Sequence, residues 1–571
     1  MDSPHIPRGV EAPGRAFFVW LAAILGVAGT CYALVAAAHP VFGRAEIYFA
    51  ESARAMLASD SYITPRYLGQ PFFDKPILSY WAIVASFDVF GLTHFAARLP
   101  TLLAALGTAA LTGYATARLA GRNAGLAAAG VLCSSYLFCY FATLSMSDMW
   151  LTFFMSAASA LLFAGSVSAG RRTLFWWLAS VCLALAFLSK GPVGVILPAG
   201  SFLLYLALAR ELRQIRLHHV LTGLATIGAV AGVWFFALWR ENGTQSLYAF
   251  FVAENLLRFR GETYRTDRWF GYMPMSFVLG GLPWTLLLPA VAWDSARKRR
   301  DVPASPEGRA EMFLWCFIAV VIAFFWVSRM QLDYYVLPAL PAYAALAGMY
   351  LGRAAPRSEL PARIGGWVLA ATLLVLGASA GYYVWPKLGA EVFWSGFSLP
   401  AWVLAAGVAM AVLMLRGRLV PAYAMVFLAV CGAGALGARV GLPAYQRYVP
   451  VADYARAVRQ NGETTALAIS IDLDLWRGEF AFQAGRLPQR LDTPRSLADF
   501  LLGNGPRMAV VTESWAAEMG GEMAGRMRVA DRRPGLARGV TLATLLDSTK
   551  LQANLTTVLL VTNDGVTVRR E

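Results

Sequence analysis

Several short stretches of the sequence place ionisable side chains where an apolar chain gains nothing from a charge. Asp148 opens an apolar run within Ser145-Met146-Ser147-Asp148-Met149-Trp150. Either neighbouring serine would cap a helix there as well, and a charge at membrane depth is costly unless it is used. Lys190 stands in Leu188-Ser189-Lys190-Gly191-Pro192, between two apolar runs with almost no loop, and suits a phosphate partner. Phe73-Asp74-Lys75-Pro76 sets an acid beside a base where proline starts a helix; a local ion pair in a surface turn is the alternative. Glu46 and Glu51, five residues apart, do not quite share a helical face, and one of them could simply favour a helix start. Arg258, Arg260 and Arg265 are further phosphate candidates, or contacts to anionic headgroups. Tyr334 and Tyr335 are most simply interface anchors, and could also line a lipid-tail entrance. The chemistry open to such a set is proton removal by a carboxylate and stabilisation of charge on a leaving phosphate by cations.

The elements that must position these groups are membrane helices. The chain has 571 residues, 58% hydrophobic and only 15% charged, against about 25% charged in soluble domains. Thirteen apolar runs qualify as spans: 17–38, 96–117, 123–141, 148–168, 173–189, 191–209, 219–239, 274–293, 311–328, 333–352, 364–384, 399–415 and 419–441. Run 77–92 is shorter and reads as an amphipathic helix on the membrane surface. The first run follows Arg8 and Arg15 and lacks a clear cleavage site, so it reads as a retained helix. With a cytoplasmic N-terminus, the basic clusters at Arg118/Arg122, Arg171/Arg172, Arg210–Arg216, Arg297–Arg300, Arg353–Arg363 and Arg416/Arg418 all fall inside. Segments 39–95 and 240–273 are then long outer loops, and Glu46, Glu51, Asp74, Lys75, Asp148, Lys190, Arg240, Glu254, Arg258 and Asp333 share one outer layer.

The remainder, 442–571, alternates charged stretches with short apolar runs at Ala466–Ile471, Met508–Val511 and Thr556–Val561, which read as strands, while Val451–Arg459 reads as a helix. The expected architecture is therefore an all-α polytopic membrane domain, 1–441, with a small extracytoplasmic α/β domain, 442–571. The net charge of +15 follows from topology, so no nucleic-acid partner is expected; membrane lipids are. Six cysteines without a CxxC pair give neither a disulfide framework nor a cysteine-held metal. A transporter would show mid-span charges and broken helices related by a repeat. No repeat is visible and the charges gather at one face, although a non-enzymatic protein that binds lipid-linked sugars fits the same layer.

Taken in order, Glu46–Glu51, Phe73–Pro76, Asp148, Leu188–Gly191 and Tyr334–Pro338 resemble the motifs of the ArnT/protein O-mannosyltransferase group of GT-C glycosyltransferases, across about the first 340 residues. The resemblance implies inverting transfer from a polyprenyl (undecaprenyl) phosphate sugar, at the periplasmic face of the bacterial inner membrane. Lipid A or another glycolipid is the acceptor implied by one branch, and a protein hydroxyl by the other. It implies Glu46 or Asp148 as base or acceptor-positioning acid and Lys75 and Lys190 at the donor phosphate; the residues themselves add Arg258 at that phosphate and Glu51, Asp74 and Tyr335 along the substrate. Two departures stand out. Ala45 occupies the place of the family's Asp, and His5, His39, His94, His218 and His219 all lie outside the 240–273 loop, where the family often has a histidine. A divalent metal, if used, would fall to Asp74 with Glu46 or another carboxylate.

Overall fold

The computed structural model describes residues 13–39, 41–297, 305–384, 393–446, 448–460, 464–519, 527–536 and 548–563. Arg8 and the basic positions 298–300 lie outside them. Every expected span has a helical counterpart. Among the described residues ten helices are long and apolar enough to cross a membrane, and two bent pairs raise this to 12. The pairs are Arg122–Cys133 with Tyr136–Ala142, bent by 67°, and Tyr272–Gly280 with Trp284–Arg297, bent by 108°. The remaining expected span, Val193–Leu208, is a helix of 16 residues. At about 1.5 Å rise per residue it falls short of an about 30 Å hydrocarbon core. A helix, Leu78–Phe90, stands where the surface helix was expected at 77–92; it buries Tyr80, Ile83 and Phe87, but its exposed side carries Trp81, Val89 and Phe90, so it is apolar on both faces rather than amphipathic.

Small residues let the bundle close. A Cβ on Gly348 would stand 2.5 Å from the Ala124 carbonyl oxygen, and one on Gly352 2.8 Å from the Ala124 Cα. Helix Leu340–Ala354 thus lies backbone-to-backbone on helix Arg122–Cys133, the packing that small residues four apart permit in a membrane. At one end of the bundle Arg353 binds Asp294 (2.6 Å), Glu311 (3.1 Å) and Glu307, and Arg309 binds Glu211.

The opposite end is organised by a buried ion pair. Arg98, in the first turns of helix His94–Ala120, has no solvent exposure. Its guanidinium donates to the carbonyls of Ala36 (3.0 Å), His39 (2.8 Å) and Val41 (2.8 Å), and to Glu46 Oε1 (2.9 Å). Glu46 starts helix Glu46–Ser59 and also accepts the backbone N–H groups of Gly43 (2.8 Å) and Ser145 (2.8 Å). Burial alone would raise the Glu46 pKa; the Arg98 charge and these hydrogen bonds outweigh it and hold the carboxyl below its ordinary value. Segment 39–95 continues through a two-stranded hairpin, β1 (Arg66–Tyr67) and β2 (Gln70–Pro71), to helix Leu78–Phe90.

Helix Leu419–Gln446 runs past the expected boundary at 441 into the C-terminal unit, which begins with helix Val451–Gln460. Its sheet comprises β3 (Ala466–Ser470), β4 (Gln489–Leu491), β5 (Arg507–Thr512), β6 (Arg528–Leu536) and β7 (Leu555–Thr562), in the order β4-β3-β5-β7-β6. The β3–β4 and β3–β5 pairs are parallel, connected through helices Asp474–Ala484 and Pro494–Leu502; β7 pairs antiparallel with both β5 and β6. Helix Asp474–Ala484 also docks on the membrane domain. The buried Glu479 accepts the N–H of Phe42 (2.9 Å) and an N–H from His94 Nε2 (2.7 Å). A Cβ on Gly478 would meet Tyr67 Oη at 2.5 Å, so the hairpin rests directly on this helix.

Removing the Arg98 guanidinium would leave the Glu46 charge buried and uncompensated. Arg98→Gln is expected to lose about 3–5 kcal/mol of stability, seen as a lower thermal midpoint in detergent. A variant that melts with the parent would refute this role.

Candidate active site

Two antiparallel helices bring Asp148 and Lys190 together. Helix Ser147–Val167 has 21 residues and helix Arg172–Lys190 has 19, with only residues 168–171 between them. The start of the first therefore lies beside the end of the second. An acid near a helix N-terminus and a cation at a C-terminus are each favoured by the helix dipole. Gly191 ends the second helix at φ 86°, with Phe250 close enough to touch any added Cβ. The Lys190 ammonium binds Asp148 Oδ1 and lies over the rings of Tyr334 (5.2 Å) and Tyr335 (4.9 Å).

These residues line a cavity of about 320 Å³. Lys75 and Asp74 reach it from segment 39–95, and Glu254 and Arg258 from the π-helical stretch Tyr248–Leu257 and the residue that follows it. π-Helical turns recur at functional sites because the extra residue redirects side chains. Arg258 binds Glu254 at 2.8 Å. Lys75 Nζ donates to the Asp74 carbonyl at 2.9 Å. Burial, with Arg258 nearby, lowers the Lys75 pKa to about 8. Burial raises that of Asp74, opposed by the Lys75 charge. The cavity thus holds three cations and three carboxylates at one end. Val193, Ile196, Phe251, Leu256, Phe324 and Phe325 supply an apolar wall. Two polar atoms of lining residues, Ser147 Oγ and Arg258 Nε, are buried without a hydrogen-bond partner. Such orphans are costly unless a ligand satisfies them.

Of the expected site residues, Asp148, Lys75, Lys190, Arg258, Asp74 and Tyr335 converge here. Glu46 and Glu51 do not. Both Glu46 oxygens are filled by Arg98, Gly43 and Ser145, so the carboxylate has no free lone pair for a substrate proton. Its place is structural: it fixes Ser145, three residues before Asp148. Glu51 is held by both nitrogens of a fork from Arg54, at 2.6 and 2.7 Å, and Arg54 also donates to the Gly485 carbonyl in the C-terminal unit. Ala45 is exposed at the start of helix Glu46–Ser59. Among the described residues no group of three or more His, Cys, Asp or Glu side chains is arranged to hold a metal. Asp74 has Glu254 as a fellow carboxylate but Lys75 and Arg258 as cationic neighbours, a donor set ill-suited to a divalent ion.

Sequence reasoning missed Arg98, although a guanidinium inside the apolar run 96–117 was a visible signal. It took the serines before Asp148 only as possible helix caps, and left Glu254 without a role.

Comparison with known proteins adds to this geometry. A family model described as dolichyl-phosphate-mannose-protein mannosyltransferase matches residues 74–239, a stretch that begins at Asp74 and contains Asp148 and Lys190. An undecaprenyl phosphate-alpha-4-amino-4-deoxy-L-arabinose arabinosyl transferase of Sodalis glossinidius is 30% identical over 387 residues, 65% of this chain and 67% of that one. A protein of the same description from Proteus mirabilis is 28% identical over 57% of this chain; the chain spans 58% of that relative, less than two thirds of its length. A crystal structure of ArnT from Cupriavidus metallidurans bound to undecaprenyl phosphate shares the fold, with a TM-score of 0.74 over 97% of this chain and 99% of that one at 22% identity. The chain is a multi-pass membrane protein, and it belongs to the ArnT-like family of GT-C membrane glycosyltransferases.

Proposed function

We propose that the chain transfers a sugar from a polyprenyl (undecaprenyl) phosphate donor to lipid A or another glycolipid, at the periplasmic face of a bacterial inner membrane. The observation that carries this reading is one cavity that joins an apolar wall to three cations delivered by three separate segments. A polyprenyl tail suits the wall, and its phosphate suits Lys75, Lys190 and Arg258. Arg258 Nε and Ser147 Oγ are donors that a phosphate oxygen would satisfy. The Proteus and Sodalis relatives are described as acting on an undecaprenyl phosphate sugar, and the Cupriavidus structure holds undecaprenyl phosphate.

In the transfer, an acceptor oxygen forms a bond to the anomeric carbon as the bond from that carbon to the donor phosphate oxygen breaks. The electron pair leaves with the phosphate, where fixed cations stabilise it. A phosphate acceptor is already anionic and gives up no proton. A hydroxyl acceptor would pass its proton to a cavity carboxylate, for which Asp148 beside Lys190 is our choice. The basic clusters at Arg118, Arg171 and Arg210 support a cytoplasmic placement of the opposite end.

Purified protein in nanodiscs, given a polyprenyl-phosphate sugar and lipid A, should yield acceptor heavier by one sugar. Lys190→Ala should lower kcat by about a hundredfold or more, and Asp148→Asn, which frees the ammonium from its partner, should lower it in the same direction. A parent inert toward every polyprenyl donor would sink the enzyme reading. Full activity in both variants would sink these roles only.

Lys75 sets a pH dependence. Its ammonium is present below about 8 and lost above it, so donor KM should rise as pH climbs through that value. Lys75→Arg keeps its charge and should flatten the profile; a parent profile flat from pH about 7 to about 9 would contradict the assignment. Impermeant thiol reagents should label a cysteine placed at Glu262, but not one at Arg213, in intact spheroplasts. The reverse pattern would invert the proposed orientation.

A further inference from the structure

A second cavity, of about 290 Å³, adjoins the first: Ser328 lines both. It is built from two segments, Arg265–Phe270 and Trp326–Gln331. Hydrogen bonds lock them together. Arg329 N–H donates to the Phe259 carbonyl (2.9 Å), Thr266 N–H to the Arg329 carbonyl (3.2 Å), and Gln331 N–H to Thr266 Oγ1 (2.7 Å). A Cβ on Gly261 would come within 2.6 Å of the Arg329 Cβ, so the loop is held tightly against that arginine. The walls carry three guanidiniums and one carboxylate. Arg265 pairs with Asp267 at 2.8 Å, whereas Arg268 lies over the Tyr272 ring at 4.7 Å, and neither Arg268 nor Arg329 has a carboxylate partner among the described residues. Gln331 donates through Nε2 to the Trp326 and Ser328 carbonyls, while its Oε1 is buried with no partner. Trp269, Phe270 and Val327 are exposed at the rim.

Each feature selects part of a ligand. Two solvent-exposed guanidiniums without a carboxylate partner among the described residues suit an anion with several oxygens, such as a phosphate. A buried amide oxygen without a donor calls for a hydroxyl. Exposed indole and phenyl rings at a membrane edge suit a sugar face and acyl chains. We propose that this second cavity holds the acceptor, through the phosphate and a hydroxyl of a membrane glycolipid, with Arg329 and Arg268 as the phosphate ligands. The proposal rests on the transferase reading for the word acceptor, but the binding itself does not. With the donor phosphate in the first cavity, the shared Ser328 wall would be where the two substrates meet.

The test separates the two readings by measuring binding without turnover. Full-length protein is titrated with a diacylglucosamine phosphate, its dephosphorylated form, and inorganic phosphate, and bound species are counted by native mass spectrometry. Undecaprenyl phosphate is titrated in parallel. The phosphorylated glycolipid should bind the parent, and Arg329→Gln and Arg268→Gln should each weaken it by about tenfold, leaving undecaprenyl phosphate unchanged. Arg329→Lys, which keeps charge but not the fork, should weaken it less than Arg329→Gln. Equal binding of the dephosphorylated lipid, or inorganic phosphate binding as tightly as the lipid, would overturn the proposal. So would variants that bind the glycolipid like the parent, or that lose undecaprenyl phosphate to the same degree. If glycolipid binding behaves as expected and no sugar moves, the cavity stands and the transferase reading fails.

Discussion

A fully buried guanidinium has to find acceptors for its donors, and in this chain that requirement organises the working end of the molecule. Arg98 collects the carbonyls at residues 36, 39 and 41, where the first long helix gives way to segment 39–95, together with the Glu46 carboxylate. Glu46 in turn holds the backbone at Ser145, and the serine's own hydroxyl donates to the Ala97 carbonyl at 2.9 Å. One ion pair therefore sets the entry angle of segment 39–95 and the position of the turn that leads into Asp148. The same loop passes the Phe42 N–H to Glu479, so the C-terminal unit is referenced to the same point. A buried pair of this kind adds little stability over an apolar replacement. Its value here is register: polar contacts fix the end of the first helix, the starts of helices Glu46–Ser59 and His94–Ala120 and the Ser145 turn relative to one another.

The first cavity works from the opposite electrical condition. Two of its three cations are ion-paired, Lys190 with Asp148 and Arg258 with Glu254, while the Lys75 ammonium donates to the Asp74 main-chain carbonyl with the Asp74 charge nearby. A low-dielectric wall would make isolated charges prohibitive, so the resting cavity keeps acids beside its cations. A phosphate that binds exchanges one anionic partner for another without creating a bare charge. The partners that remain unsatisfied at rest are on Ser147 and Arg258, beside the same cluster.

Much of this was legible in the sequence because the signals were local. The strands at 466–470, 507–512 and 555–562 fall where short apolar runs stood, and each of the thirteen expected runs is helical, although among the described residues at most 12 are long enough to cross. Strand β6 was not legible, since Arg528–Leu536 carries four charged side chains and pairs at a sheet edge. Nor was the break in helix Arg122–Cys133, which a hydropathy run passes over. At the site, Asp148, Lys190, Lys75 and Arg258 betrayed themselves as charges in apolar surroundings. Glu46 gave the same signal for another reason: it is the counter-ion of Arg98, 52 residues away. A lone sequence shows that a buried charge must have a partner; it does not show whether that partner is a side chain or a substrate.

That distinction bears on the acceptor. Ala45 offers no carboxylate, and Glu46 has every lone pair engaged. Asp148 Oδ1 is occupied by the Lys190 ammonium and Glu254 by Arg258. A neutral hydroxyl would need a base, for which the second Asp148 oxygen and the Asp74 carboxylate remain. An acceptor that arrives ionised has no such requirement; it needs only cations to hold it against the repulsion of the donor phosphate. The proposed second site, with two guanidiniums that lack carboxylate partners among the described residues beside Ser328, would supply that without drawing on the paired charges of the first.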